Sequence, residues 1–251
     1  MNFARSLAAA ATVSLLGTAV FAQPAQQQPP ASSQMTQQQI NEEMLKELRQ
    51  IRMLLERITQ PQAPPQPATA KLTNLEGFVL GKPDAPLTMV EFTDLQCPFC
   101  RQYVTVTFEQ IKKDWIDTGK LRYISRDFPL DIHPQAMNAA RAARCAGEQG
   151  KFWEMRMTLM RNANLLSRDY ITRTAADLKL DPTAFAACTA SGKFDSAIAA
   201  DLDEGTRIGI TGTPTFVVGR TGATTLEGPV IVGALPYAQF DARLKQVLAS
   251  K

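Results

Sequence analysis

The sequence predicts an α/β domain in the order β-α-β, a long helical insertion, then β-β-α, carried behind a separate N-terminal helix. Three observations predict it. An apolar, strand-like run at Leu87–Phe92 leads into a helical repeat of Phe108, Ile111 and Trp115. A series of helical segments separates the strand Leu121–Arg126 from the strand Thr215–Val218. A heptad repeat also lies isolated between two Pro- and Gln-rich stretches near the N-terminus.

Residues 1–22 read as a secretory signal. Arg5 gives a positive start, Leu7 to Leu16 is apolar, and Val20-Phe21-Ala22 offers small residues for cleavage. The apolar stretch is short for a spanning helix, and no charged stop-transfer flank follows it. Export to the periplasm is therefore expected, where disulfides persist. Residues 23–39 are low-complexity Gln, Pro, Ser and Ala, a composition that favours disorder.

Residues 36–60 differ from their flanks. Asn41, Leu48 and Leu55 fall at heptad position a, with Met44, Ile51 and Ile58 at d. Leu45 at e and Leu54 at g widen the stripe, and Glu47 at g can pair with Arg52 at the following e of a parallel neighbour. A Pro-rich linker, residues 61–71, follows. Polyproline conformation would make it a semi-rigid spacer roughly 30 Å long. A helix of this length is marginal alone in water. Self-association into a homo-oligomer is expected, and Leu at a with Ile at d prefers a trimer over a dimer. The alternatives are a helix folded back on the domain and one frayed in solution.

Residues 72–251 form the globular domain. A helix from Pro98 ends near Thr118, before Gly119, and the strand Leu121–Arg126 follows. Helices are predicted over Gln135–Ala146, Phe152–Met160 and Ser167–Leu178, from Asp181-Pro182 onward, and over Asp195–Arg207. Trp153, Met157, Phe185, Ile198 and Leu202 supply their core faces. The strand Thr215–Val218 turns at Thr221-Gly222, pairs again within Thr225–Val232, and precedes an amphipathic helix Tyr237–Leu248.

Chemistry concentrates at Cys97-Pro98-Phe99-Cys100. A cysteine at a helix N-terminus has its thiolate stabilised by the helix dipole and free N–H groups, and a second cysteine one turn on can close a disulfide with it. Cys97, expected to be exposed, reads as the nucleophile and Cys100, buried behind it, as the resolving thiol. Half of a zinc site is the competing reading. It would need a second ligand pair, and the chain has one histidine, His133, and distant cysteines Cys145 and Cys188. A purely structural Cys97–Cys100 bridge closes too small a loop to stabilise much. Four cysteines in an exported chain suggest two pairs, so Cys145 and Cys188 are expected to form a structural disulfide, the alternative being two buried thiols. His133, followed by Pro134, reads as a surface or capping residue. A net charge of +3 is too small to argue for nucleic acid as a partner.

Cys97-Pro98-Phe99-Cys100 preceded by Glu91-Phe92, the run Phe128-Pro129-Leu130 with His133, and Gly212-Thr213-Pro214-Thr215-Phe216 resemble the DsbA family of thioredoxin-fold proteins. The resemblance covers residues 72–251. It implies a thioredoxin fold with an inserted helical domain at about 134–208, a redox-active Cys97–Cys100 pair flanked by Pro98 and Phe99, and a buried acid, Glu91, behind it. It also implies a cis Thr213–Pro214 bond facing the dithiol, where the backbone can pair with an extended substrate. The N-terminal helix and linker are similar to the DsbG/DsbC-like isomerases and ScsC-type proteins. Pro98-Phe99 differs from the Pro-His pair of the family's strongest oxidases. The function implied is an exported disulfide isomerase or reductase acting on cysteine-containing proteins with a membrane redox partner. No metal or organic cofactor is expected. A DsbA-like oxidase is the alternative, and a chaperone or copper-binding module using both sulfurs as soft ligands is a distant one.

Overall fold

The computed structural model describes residues 36–59 and 69–250, the side chains of 53–59 excepted. The expected signal (1–22), most of the low-complexity stretch and linker residues 61–68 lie outside these. Two units result, Met1–Ala63 and Pro64–Lys251.

The first holds the helix Gln37–Thr59. It includes residues 37–39, which also lie in the low-complexity stretch 23–39. Thr36 and Gln39 form a capping box: the Gln39 N–H donates to Thr36 Oγ1 at 3.3 Å and the Thr36 N–H to Gln39 Oε1 at 2.9 Å. Met44, Leu45, Leu48 and Ile51 are each about half exposed, at 50–54%.

The second is built on a six-stranded sheet of order β1-β6-β5-β3-β4-β2. The strands are β1 (Thr69–Leu72), β2 (Phe78–Leu80), β3 (Leu87–Thr93), β4 (Leu121–Asp127), β5 (Thr215–Arg220) and β6 (Leu226–Val232). Central β3 runs parallel to β4 and antiparallel to β5. Edge strands β1 and β2, which the sequence reading did not contain, add antiparallel to β6 and β4. β1 moves the domain boundary from residue 72 to Thr69, so the end of the expected linker is sheet.

Every residue of β3 is buried, because both faces are covered. Alternation sends Leu87 and Met89 to one apolar layer and Val90 and Phe92 to the other. The first layer holds the helix that begins at Pro98 and runs to Ile116, wound as π-helix over Tyr103–Phe108 and Lys112–Ile116. It also takes Phe240 and Leu244 of the C-terminal helix Tyr237–Ala249. On the other face, the helix Asp195–Arg207 approaches so closely that a Cβ at Gly205 would meet the Phe128 ring at 2.7 Å.

The insertion between β4 and β5 comprises the helices Ala136–Gly147, Phe152–Arg161, Arg168–Asp177, Pro182–Ser191 and Asp195–Arg207. Ser167 caps the third, accepting from the Tyr170 N–H at 3.1 Å, and Asp181 caps the fourth, with Pro182 at its first position. A buried ionic cluster fastens the insertion to the sheet. Arg126 donates to Asp201 at 2.6 Å and to Glu204, while Arg144 donates to Asp127 at 2.6 Å and Asp201 at 2.5 Å.

Cys145 and Cys188 form a disulfide, joining two insertion helices with Cα atoms 5.8 Å apart. It closes a loop with a sequence separation of 43. On chain entropy, a Cys145→Ala/Cys188→Ala variant should lose roughly 4 kcal/mol of unfolding free energy, measured by denaturant titration with Cys97 and Cys100 held reduced in both proteins.

Candidate active site: an asymmetric dithiol

Two turns of chain set the site. Asp94, at the end of β3, accepts from the Gln96 N–H at 2.7 Å and the Leu130 N–H at 2.9 Å. Its Oδ2 lies 2.7 Å from His133 Nδ1. His133 is thus tied into the loop ahead of the dithiol and is no surface cap, its side chain being 16% exposed. The Cys97 N–H then donates to the Asp94 carbonyl at 3.1 Å, delivering Cys97 to the N-cap of the helix that Pro98 opens.

Cys97 is buried, contrary to expectation. The loop that carries Thr213 and Pro214 lies over it: Cys97 Sγ donates to the Thr213 carbonyl at 3.4 Å. The Thr213–Pro214 bond is cis, and the Gly233 N–H holds the Pro214 carbonyl at 2.8 Å. Pro98 and Phe99 are exposed, Phe99 at 62%. Cys100 is fully buried.

The two thiols are electrostatically unlike. A hydrogen bond from the Cys100 thiol, followed by the Thr213 hydroxyl and the Cys100 and Phe99 backbone N–H groups, lowers Cys97 from 9.0 to about 5 against the opposing cost of burial. Cys100 is raised well above its ordinary value, by burial first, then by its bond to Cys97 and the charges of Cys97 and Glu91.

Glu91 is fully buried. Two residues from Met89 on the strand, it shares the face that carries the dithiol helix. Tyr123 and Arg156 both donate to its Oε2, and Oε1 is without a hydrogen-bond partner among the described residues. Tyr103 Oη is likewise buried without one. Glu91 and burial together push the Tyr103 hydroxyl up, burial being the larger cause.

The sequence-predicted residues Cys97, Pro98, Cys100, Thr213 and Pro214 therefore meet at one helix terminus, with Glu91 beneath them. Arg156, Tyr123 and Asp94 were not foreseen. Only Asp94 carried a local signal, three residues before Cys97 at a strand end.

The family model described as Thioredoxin matches residues 73–228. Among solved structures, the chain is similar to α-DsbA1 of Wolbachia pipientis, at 26% identity and TM-score 0.61, covering 68% of this chain and 89% of that one. It is also similar in fold to oxidised BdbD of Bacillus subtilis, at 24% identity and TM-score 0.59, covering 71% and 100%. Among curated proteins it is 37% identical, over 65% of its length, to the Na(+)/H(+) antiporter NhaA 3 of Salinispora tropica. The chain spans 24% of that antiporter's length. Among the described residues, no helix is long and apolar enough to cross a membrane.

Cys97 should titrate near pH 5 when thiolate absorbance is followed in the reduced protein, and Cys100→Ala should raise that midpoint by removing the largest stabilising bond. An unfolded chain keeps this thiol protonated until about 9.0, so stability of the reduced fold should increase with pH between about 5 and 9 and be lost as pH falls through 5. Cys100, shifted oppositely, affects stability only above its ordinary value of 9.0.

Proposed function

The chain belongs to the thioredoxin family as a DsbA-like thioredoxin-fold protein, and on that premise we propose that it is an exported disulfide isomerase or reductase of cysteine-containing proteins. The observation that carries the thiol chemistry is the split between the sulfurs, one lowered to about 5 and the other raised and buried.

The Cys97 thiolate attacks a substrate disulfide, forms a mixed disulfide and releases one substrate thiolate, which takes a proton from solvent. Cys100 then gives its proton to the open Oε1 of Glu91 and attacks Cys97 Sγ. The Cys97–Cys100 disulfide forms, and the second substrate thiolate leaves. The protein dithiol is oxidised and the substrate disulfide reduced. When another thiolate of the substrate attacks the substrate sulfur bound to Cys97 before Cys100 acts, a new substrate disulfide forms, the Cys97 thiolate leaves, and the outcome is isomerisation. An extended substrate strand would pair with the backbone at Thr213, beside exposed Phe99 and Val232.

Isomerase work is supported by the exposed stripe Met44, Leu48 and Ile51. A second copy, or two, would bury it and hold several dithiols around one misfolded substrate, raising their effective concentration. A dithiol oxidase served by a membrane redox partner is the second reading. The low Cys97 value favours it, because a stabilised thiolate makes the disulfide a stronger oxidant. The periplasm suits either.

Cys97→Ser should abolish exchange, while Cys100→Ser should accumulate mixed disulfides with substrate on a denaturing gel. Equal residual activity in both would reverse the nucleophile assignment. Deleting residues 36–60 should convert an oligomer, a trimer in preference to a dimer, into a monomer by light scattering. Isomerase activity should fall and dithiol oxidation rise. A full-length protein that is already monomeric at micromolar concentration replaces the isomerase with the oxidase.

A further inference from the structure

The helix Phe152–Arg161 belongs to the insertion, yet its Arg156 reaches the Glu91 carboxylate. Arg156 is fully buried, and its donors are used inside the protein. Nη2 bonds Glu91 Oε2, Nε bonds Ser125 Oγ at 3.0 Å, and Nη1 meets Met157 Sδ at 3.5 Å. The guanidinium sits 5.4 Å from the centroid of the Trp153 ring. The helix delivers it there because Phe152, one turn earlier on the same side, stacks on Phe78 of β2 with ring centroids 3.5 Å apart.

A wholly buried ion pair is a poor source of stability, since desolvating both charges offsets much of their attraction. It does fix geometry. Arg156 and Tyr123 converge on Oε2 of Glu91, and each is held in turn, Arg156 by Ser125 and Trp153, Tyr123 by its place on β4. The carboxylate is thereby kept from rotating, and Oε1 alone stays open to a proton.

We propose that Arg156 is a positioning residue for the resolving half-reaction, through which the inserted helical domain holds the Glu91 carboxylate with one oxygen free behind Cys100. This rests on Glu91 being the acceptor of the Cys100 proton. Arg156 touches neither sulfur and leaves the first attack by Cys97 to the helix terminus. Its planar fork spans Glu91 and Ser125 together, which an ammonium does less well.

The test mixes reduced full-length protein with oxidised glutathione, quenches with acid at intervals, and follows by mass the rise and decay of the Cys97–glutathione mixed disulfide across pH. Arg156→Met should leave the rise unchanged and slow the decay about tenfold or more, the range expected for one lost charged hydrogen bond, with its pH profile displaced. Arg156→Lys should recover part of the rate. In a Glu91→Gln background, Arg156→Met should have no further effect. That double variant removes both charges and so keeps a folded protein available even where the single one unfolds. A decay and pH profile like those of the parent protein in Arg156→Met overturn the proposal, as does an equal slowing in the Glu91→Gln background. Failure of the underlying reading looks different: Glu91→Gln alone would then resolve the mixed disulfide at the parent rate.

Discussion

A carboxylate in the middle of a fully covered strand is the constraint around which the domain is arranged. Glu91 sits on β3 with apolar layers on both faces, out of reach of water. A charge in such a place needs a counter-charge and donors delivered to it, or it neutralises. Here the donor comes from the neighbouring strand, as Tyr123, and the counter-charge from outside the sheet, as Arg156. The insertion must therefore lie flat against the β2 end of the sheet. Small residues allow this: Ala139, Ala142, Ala143 and Ala146 face the core along the helix Ala136–Gly147, and a Cβ at Gly147 would strike the Phe78 ring at 2.5 Å.

The difference between the two sulfurs has a similarly simple origin. One turn of helix separates them, but that turn crosses from the helix terminus, where N–H groups point outward unpaired, to its inner face, where none are free. Cys97 gains donors, whereas burial, its bond to Cys97 and the charges of Cys97 and Glu91 all push Cys100 up. Proline at the first helical position sharpens this, because it fixes the entry angle without removing a needed donor.

Features with local signals were legible in the sequence. The dithiol at a strand-to-helix turn, the helix starts at Asp181 and Asp195, the strand Thr215 onward and the split of the chain at the Pro-rich stretch all reflect neighbours within a few residues. What was missed depends on residues far apart in the chain. Edge strands β1 and β2 are four and three residues long, too short for a periodicity, and exist through partners on β6 and β4. Cys97 is covered by a loop 116 residues away, and Glu91 finds its cation at a separation of 65. Arg156 on an amphipathic helix reads as solvent-facing until the fold places it.

The buried cluster of Arg126, Asp127, Arg144, Asp201 and Glu204 differs in kind from the pairs on the N-terminal helix. Lys46 and Glu43, at 66% and 57% exposed, stand in water, where ions at physiological strength screen charge over about 8 Å. Arg126 and Asp201 are 2% and 7% exposed, and mobile ions cannot enter between them. Rising ionic strength therefore weakens the Lys46–Glu43 pair on the N-terminal helix and leaves the fastening between insertion and sheet untouched.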